Sequence, residues 1–159
     1  MKSESHMNTS KGHYSRLLVM TVISFIAMYV LMYAMVDRFA NVYPSFNQFY
    51  MAGLMTAAMV VIELLVMSGM YPNKRVNAIL LLVSILALAG FFGAIQKQTA
   101  ISDRQFVRSM IPHHAGAILM CQEASLHDPE LVRLCQSIES GQQDEIRVMK
   151  AKLAELQKK

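Results

Sequence analysis

The last third of the chain holds side chains whose chemistry suits a soft metal ion. They are two adjacent imidazoles, three thioethers, an amide and a carboxylate: His113, His114, Met110, Met120, Met149, Gln142 and Glu145. Imidazole and thioether ligands favour copper, especially Cu(I), or silver, whereas magnesium and calcium require oxygen ligands. The residue types therefore predict a copper site, with Cu(I) as the favoured ion.

A predicted helix positions the histidines. Ser102-Asp103-Arg104-Gln105 has the form of a capping box, which opens a helix. After it, apolar or special residues recur with alternating spacings of four and three, at Phe106, Met110, His113, Ala117, Met120 and Ala124. That spacing is typical of a helix packed in a bundle. It predicts that His113 faces the seam between helices and His114 its flank.

A second helix is predicted to pack against the first. Asp128 and Pro129 are an N-cap residue and a proline at the first helical position. In an antiparallel hairpin that turns near His127, the numbers of facing residues sum to about 255, within one helical turn. Gln142 is then expected opposite the histidines and Glu145 opposite Met110. Met149 is expected opposite Phe106, and Cys121 near Cys135, so the candidate ligands converge on one stretch of the interface.

The cysteines leave two alternatives open. Cys121 and Cys135 could form a disulfide, whose loop of about 15 residues would stabilise the fold by about 3 kcal/mol. They could equally be reduced core residues. No CxxC or CxxCH pattern is present, which argues against the common zinc-ribbon and haem signatures.

A hairpin of two helices has a limited core and needs a second layer. The simplest solution is the hairpin of another copy, which would complete a four-helix bundle. We therefore expect a homo-oligomer. The competing hypothesis is an oligomerisation or interaction module with structural histidines, in which Gln142 and Glu145 hydrogen-bond the imidazoles.

No nucleophile–base pair or open catalytic metal position emerges from the sequence, so we do not expect an enzyme. A weaker hypothesis is an oxidoreductase accessory that uses the cysteines. The net charge of +4 comes without a basic stripe, so no nucleic-acid partner is expected. The expected partners are membrane lipid, a further copy and a metal-handling protein.

The composition of the first two thirds of the chain indicates that this part lies in lipid rather than in water. Between Leu17 and Ile95 the charged residues are few: Asp37, Arg38, Glu63, Lys74 and Arg75. Three apolar runs fit the roughly 20 residues needed to cross a bilayer, namely 17–36, 49–70 and 76–95. The chain is thus predicted to be all-α, with an N-terminal segment 1–16, a three-helix membrane region 17–95 and a helical domain 102–157.

The positive charges predict an orientation. Lys2, Lys11 and Arg16 precede the first span, and Lys74 and Arg75 lie between the second and third, whereas the first loop holds only Arg38. Because positive loops stay in the cytoplasm, the N-terminus is expected there and the C-terminal domain outside. The first span has no cleavage site, so it is expected to remain as an anchor. The predicted location is the inner membrane of a bacterium, with the C-terminal domain in the periplasm.

One carboxyl lies inside the second predicted span. Glu63 belongs to a row that recurs every four residues, made of Met51, Met55, Met59, Glu63 and Met67. The row could be a path for a soft metal ion. Alternatively, the methionines are flexible apolar filler and Glu63 is protonated or bonded to Tyr29, Tyr33 or Thr56. The filler interpretation is favoured for the methionines.

The C-terminal third resembles a known family. The run Met110-Ile111-Pro112-His113-His114-Ala115-Gly116-Ala117-Ile118 and the later Gln142-Gln143-Asp144-Glu145-Ile146 with Met149 are similar to the bacterial DUF305 family, over about residues 102–156. The chain looks like the membrane-anchored form with three spans. The resemblance implies a ferritin-like bundle, usually exported, with a link to copper through Met110, His113, His114, Met120 and Met149. Cys121 and the single copy of the domain depart from the family pattern.

Overall fold

The computed structural model describes the backbone of residues 2–158 and the side chains of residues 12–158. Over that range the chain is helical without strands, which confirms the all-α prediction. The α-helices are α1 Lys2–Leu31, α2 Phe46–Val66, α3 Lys74–Gln96, α4 Asp103–Glu123 and α5 Pro129–Gln157. Short 3-10 segments at Met32–Met35, Phe39–Asn41 and Ser68–Met70 follow α1 and α2.

The helices belong to two compact units. The first, which we call the apolar unit, contains residues 2–31 and 49–99. The second, the polar unit, contains residues 32–48 and 100–158. The loop between α1 and α2 is therefore part of the same unit as the C-terminal hairpin, an association that the periodicity of the sequence did not indicate.

The apolar unit holds three helices long and apolar enough to cross a membrane. The candidate spans are Gly12–Met35, Phe46–Val66 and Lys74–Gln96. Large apolar side chains such as Leu31 and Val66 lie exposed on them, as expected of helices whose solvent is lipid. The chain is a membrane protein with three predicted spans. The side chains of Lys2 and Lys11, which entered the predicted orientation, lie outside the described residues.

One end of the apolar unit is closed by aromatic and polar contacts. Leu17, Val60, Leu64 and Tyr71 form a buried cluster. The Tyr71 ring lies 5.4 Å from that of Tyr14. The Tyr14 hydroxyl donates to Asn77 Oδ1 at 2.7 Å, and the Asn73 side chain caps α3 by accepting from two backbone N–H groups. These contacts hold the turn between the second and third spans.

The polar unit is built on an antiparallel hairpin of α4 and α5. The Asp128 side chain caps α5 as predicted, accepting from the backbone N–H groups of Glu130 and Leu131. Helix α4 begins where the capping box predicts, but that box does not form. Ser102 makes no side-chain cap bond, and Gln105 Oε1 instead accepts from the backbone N–H of Phe46.

The core of the hairpin lies one residue away from the predicted seam. The buried residues of α4 include Val107, Ile111, His114 and Ile118, which keep the predicted spacing of four and three but are shifted by one position. From α5, Ile146 and Leu153 complete this cluster. The sequence predicts the neighbouring stripe because Phe106 and Met110 are also apolar. In the structure, the buried stripe is the one that contains the β-branched residues Val107, Ile111 and Ile118.

The loop between α1 and α2 supplies a third layer to this core. Val36 and Tyr43 pack against the cluster, and the backbone of Met35 lies beside Gly116 of α4. A Cβ at Gly116 would lie 3.4 Å from the Met35 carbonyl oxygen. The sequence predicts a hairpin with a limited core that needs a second layer. In the structure, part of that layer comes from the chain's own first loop.

Candidate functional site

His114 is a buried residue of the hairpin seam. It is 8% exposed, and both ring nitrogens have partners. Nδ1 lies 2.9 Å from the Met110 carbonyl oxygen one turn earlier in α4. Nε2 lies 2.7 Å from Glu145 Oε2 on α5. The ring therefore joins the two helices at mid-length.

These two contacts determine what His114 can do. A carbonyl oxygen only accepts, so Nδ1 carries a hydrogen and donates it to Met110. A proton also lies between Nε2 and Glu145, either on the imidazole or on the carboxyl group. A metal ion at Nε2 would have to displace Glu145, because a protonated or hydrogen-bonded nitrogen has no lone pair to offer. Both ring nitrogens of His114 are therefore engaged by groups of the hairpin itself.

His113 lies in a different environment. Its side chain is exposed, and the prediction that it faces the seam is wrong. Successive helical residues point about 100° apart, so burying His114 in the seam turns His113 toward solvent. The two rings are 6.1 Å apart. Among the described residues His113 has no hydrogen-bond partner, which leaves its imidazole available to a ligand.

His113 belongs to a stripe that runs along the hairpin. In two antiparallel helices, the positions one residue before each seam position lie on the same side of the pair. We call this side the outer face. It contains Phe106, Met110, His113, Ala117 and Met120 from α4, and Leu134, Ile138, Gly141, Glu145 and Val148 from α5. Several of its apolar members are more than half exposed, including Met120 at 55% and Val148 at 66%.

The remaining predicted ligands lie on the seam. Met149 is half-buried and packs against the core cluster. Gln142 is half-buried, and its Oε1 is a buried atom without a hydrogen-bond partner among the described residues. The structure thus brings His114 and Glu145 into contact, places His113, Met110 and Met120 on the outer face, and keeps Gln142 and Met149 on the seam.

The described part of one chain does not group three or more His, Cys, Asp or Glu side chains as a metal site would require. On the outer face, Met110 lies one turn before His113, a spacing that places side chains about 5–6 Å apart at Cβ. Met120 lies two turns after His113, about 10 Å along the axis, and is too far to share the same ion. One chain therefore offers one imidazole and one thioether.

Glu63, the carboxyl of the second span, is bonded to Tyr71, which the sequence did not indicate as a partner. The Tyr71 hydroxyl donates to Glu63 Oε1 at 3.0 Å. Burial, and secondarily the bond and the charge of Glu63, raise the pKa of Tyr71 to about 12.

In the methionine row, Met51 and Met55 are exposed on the outside of the apolar unit. Their exposure favours the interpretation as apolar filler.

Residues 92–153 match the family described as a domain of unknown function, DUF305. An uncharacterized protein of Acanthamoeba polyphaga mimivirus, L153, is 31% identical over 144 residues, which cover 89% of this chain and 93% of that protein. The chain belongs to the DUF305 family. No solved structure matches it significantly.

The DUF305 region contains every predicted ligand and the whole of the hairpin seam up to Leu153. The match to the viral relative is longer than the DUF305 region and therefore extends into the membrane helices. Sequence reasoning missed the contribution of residues 32–48 to the DUF305 hairpin. Val36 and Tyr43 lie in a short irregular loop, where no periodicity marks a residue as buried.

Proposed function

We propose that this protein is a membrane-anchored binder of a soft metal ion, Cu(I) or Ag(I), which it holds on the outer face of the hairpin for metal handling or tolerance. The observation that carries the proposal is His113, whose exposed imidazole is not hydrogen-bonded to the described residues and follows the thioether of Met110 by one helical turn. An imidazole and a thioether are ligands that Cu(I) accepts. The chemistry is capture and transfer to a partner protein.

A second copy completes the site. One chain offers two ligands on a face where apolar residues, several of them exposed, recur with the spacing of a helix seam. Two such faces packed together would bury that surface as a four-helix bundle and supply two imidazoles and two thioethers. The membrane anchor favours this pairing, since tethered copies share one plane and one orientation. The expected stoichiometry is one ion per two chains.

The proposed location is the bacterial inner membrane with the polar unit in the periplasm. In a chain with three spans, the first loop and the C-terminal hairpin lie on the same side, which agrees with their membership of one compact unit. Lys74 and Arg75 between the other two spans favour the cytoplasm for the opposite side. An alkaline phosphatase fused after residue 159 is expected to be active, and an inactive fusion would reverse the orientation.

The metal proposal is tested on the full chain in detergent, with Cu(I) partitioned between the protein and a chromogenic chelator. The variant His113→Ala is expected to weaken binding at least tenfold, and Met110→Leu to weaken it while keeping the side-chain volume. His127→Ala is the matched control, since His127 is an exposed histidine in the turn between α4 and α5. Equal binding by the wild type and His113→Ala would refute the site.

The second candidate function is a helical oligomerisation module with structural histidines. The observation in its favour is His114, whose two nitrogens are occupied by Met110 and Glu145. On this hypothesis the chain forms dimers under a strong chelator and retains no metal after purification.

The variant Val148→Glu addresses the dimer in both hypotheses. It places a charge on the outer face and is expected to give monomers in light scattering. Ala151→Glu is its control, at an exposed position of α5 on the side opposite the seam. Ala151→Glu is expected to stay dimeric, and dimers that persist in Val148→Glu would show that the outer face is not the interface.

A further inference from the structure

A disulfide crosses the hairpin at the end near the turn. Cys121 of α4 and Cys135 of α5 are bonded, with their Cα atoms 5.2 Å apart. Both residues are half-buried and lie outside the buried core cluster and outside the outer face. Of the two alternatives that the sequence left open, the structure contains the bridge.

The bridge borders a pocket. The space beside the two cysteines is about 220 Å³ and is also lined by Leu126, Val132 and Glu139. A cavity of this volume holds several water molecules and admits a small thiol or a metal ion with its carrier ligands. The two bonded cysteines therefore line a space large enough for reductants and ions of that size.

We propose that Cys121 and Cys135 form a second soft-metal site, which opens when the disulfide is reduced. A dithiol reductant transfers two electrons: its own sulfurs become a disulfide, the Cys121–Cys135 bond breaks, and two thiols result. A monovalent ion then displaces both thiol protons and is held between two thiolates. Paired thiolates prefer Cu(I) and other soft ions.

The hairpin can accommodate the ion with little movement of its backbone. Metal–thiolate bonds are about 2.3 Å long, so an ion between two sulfurs holds them roughly 4.6 Å apart. With Cα atoms 5.2 Å apart, rotation about the two Cα–Cβ bonds can open that gap. The helices stay aligned without the bridge, because Ile111, Ile118 and Ile146 pack in the core and Asp128 caps α5.

The thiolate site is separate from that of His113. Cys121 lies eight residues after His113 in α4, which is about 12 Å along the helix axis. Each site would therefore hold its own ion, and the thiolate site does not depend on the proposed function of the outer face. Oxidation closes the thiolate site while leaving the His113 site unchanged.

The test compares oxidised protein with protein reduced by a dithiol and desalted without oxygen. Both are the full chain in detergent, and Cu(I) is the probe in competition with a chromogenic chelator. Reduction is expected to add one Cu(I) per chain in the wild type and in His113→Ala, and none in the double variant Cys121→Ser/Cys135→Ser. Equal uptake by oxidised and reduced wild type would overturn the proposal, as would an added ion in the double variant.

Alkylation of the wild type gives an independent measurement that does not rely on a variant folding. In reduced protein, Cu(I) is expected to slow the reaction of both thiols with N-ethylmaleimide at least tenfold, as counted by mass spectrometry. An unchanged alkylation rate would contradict the site. If the His113 site does not bind Cu(I), the oxidised protein takes up no ion. If the thiolate site does not bind Cu(I), reduction adds no ion. The two failures are therefore distinguished.

Discussion

Two adjacent histidines in this protein have opposite environments. His114 is buried and bonded to the Met110 carbonyl oxygen and to Glu145, whereas His113 is exposed and lacks such partners among the described residues. The pair therefore separates two roles along one turn of helix: one ring holds the hairpin together, and the other can bind a ligand. Substitution of His114 should therefore reduce stability, and substitution of His113 should reduce binding.

Removal of the His114 ring should destabilise the hairpin. His114→Ala leaves a cavity beside Ile111 and Ile118 and breaks two hydrogen bonds, so we expect a loss of about 2 kcal/mol in the free energy of unfolding. His113→Ala, an exposed control of the same type, should change it by no more than about 0.5 kcal/mol. Denaturant unfolding followed by circular dichroism measures both, and equal losses would contradict the assignment of roles.

The hydroxyl of Tyr71 should lose its proton at a higher pH than an ordinary tyrosine. Its pKa is raised from 10.0 to about 12, first by burial and then by the bond to Glu63. Since the raised pKa belongs to the folded state, the neutral hydroxyl contributes stability that is complete below pH 10 and is lost as the pH rises through 12.

Alkaline titration followed by phenolate absorbance should therefore show one step near pH 12 that is missing in Tyr71→Phe. Tyr14→Phe is the control, because it removes the neighbouring ring's hydroxyl without removing that step. A wild-type titration without a late component would show that the Tyr71 hydroxyl is not protected.

At the residue scale, sequence reasoning identified the right side chains but not their directions. The four-three spacing holds equally for the stripe that contains His113 and for the one that contains His114. Choosing between them requires knowing which stripe faces the partner helix. Val107, Ile111 and Ile118 are β-branched residues that fill the seam, and that preference could have indicated the correct stripe. The bond from Gln105 to Phe46 could not be foreseen, because it joins segments 59 residues apart.

At the element scale, α2 and α3 contact each other at a glycine of α2. A Cβ at Gly53 of α2 would lie 2.5 Å from the Phe91 ring of α3, within the apolar unit. The ring therefore packs on the bare backbone of Gly53. Small residues at helix contacts in membranes commonly allow such an approach.

Substitution of Gly53 should disturb that contact. Gly53→Val is expected to destabilise the apolar unit by about 1–3 kcal/mol, because the Phe91 ring must move out of its place. Gly90→Val is the matched control: it puts the same side chain into α3 at a position with open space around its Cβ. Thermal unfolding in one detergent measures both, and similar melting temperatures for the two variants would contradict the packing.

The helices themselves were the most predictable elements. Each of the three spans is long enough to cross the hydrocarbon core of a bilayer, and the proline after Asp128 marks the start of α5, so composition and cap residues were sufficient. The register of the hairpin was also predicted to within about one turn, since Cys121–Cys135 and His114–Glu145 are both observed pairs. The packing of the loop at 32–48 on the hairpin could not be predicted, because irregular segments have no periodicity that indicates which residues are buried.

At the scale of the whole molecule, the polar unit is built from two stretches separated by residues 49–99, which contain most of α2 and all of α3. Val36 and Tyr43 contribute to the same core as Ile111 and Ile146. The hairpin alone therefore lacks part of its hydrophobic cluster, and a boundary drawn at residue 102 cuts through a folded unit.

A fragment containing residues 100–159 alone should be poorly stable. We expect a melting temperature at least 10 °C below that of the same fragment fused through a flexible linker to residues 32–48, because the loop restores buried apolar area to a small domain. The fusion with Val36→Ser and Tyr43→Ser is the control and should melt like the fragment alone. Identical melting of fragment and fusion would indicate that the loop adds nothing to the core.

The shared core also links folding to biogenesis. The first loop emerges from the ribosome long before α4 and α5, and it can meet them only when all three spans have been threaded through the bilayer. A chain that inserts one span too few leaves Val36 and Tyr43 on the opposite side from Ile111, with apolar surface bare on both. Completion of the polar unit would thus depend on how many spans are inserted, because a wrongly threaded chain would separate Val36 and Tyr43 from the core that they pack against.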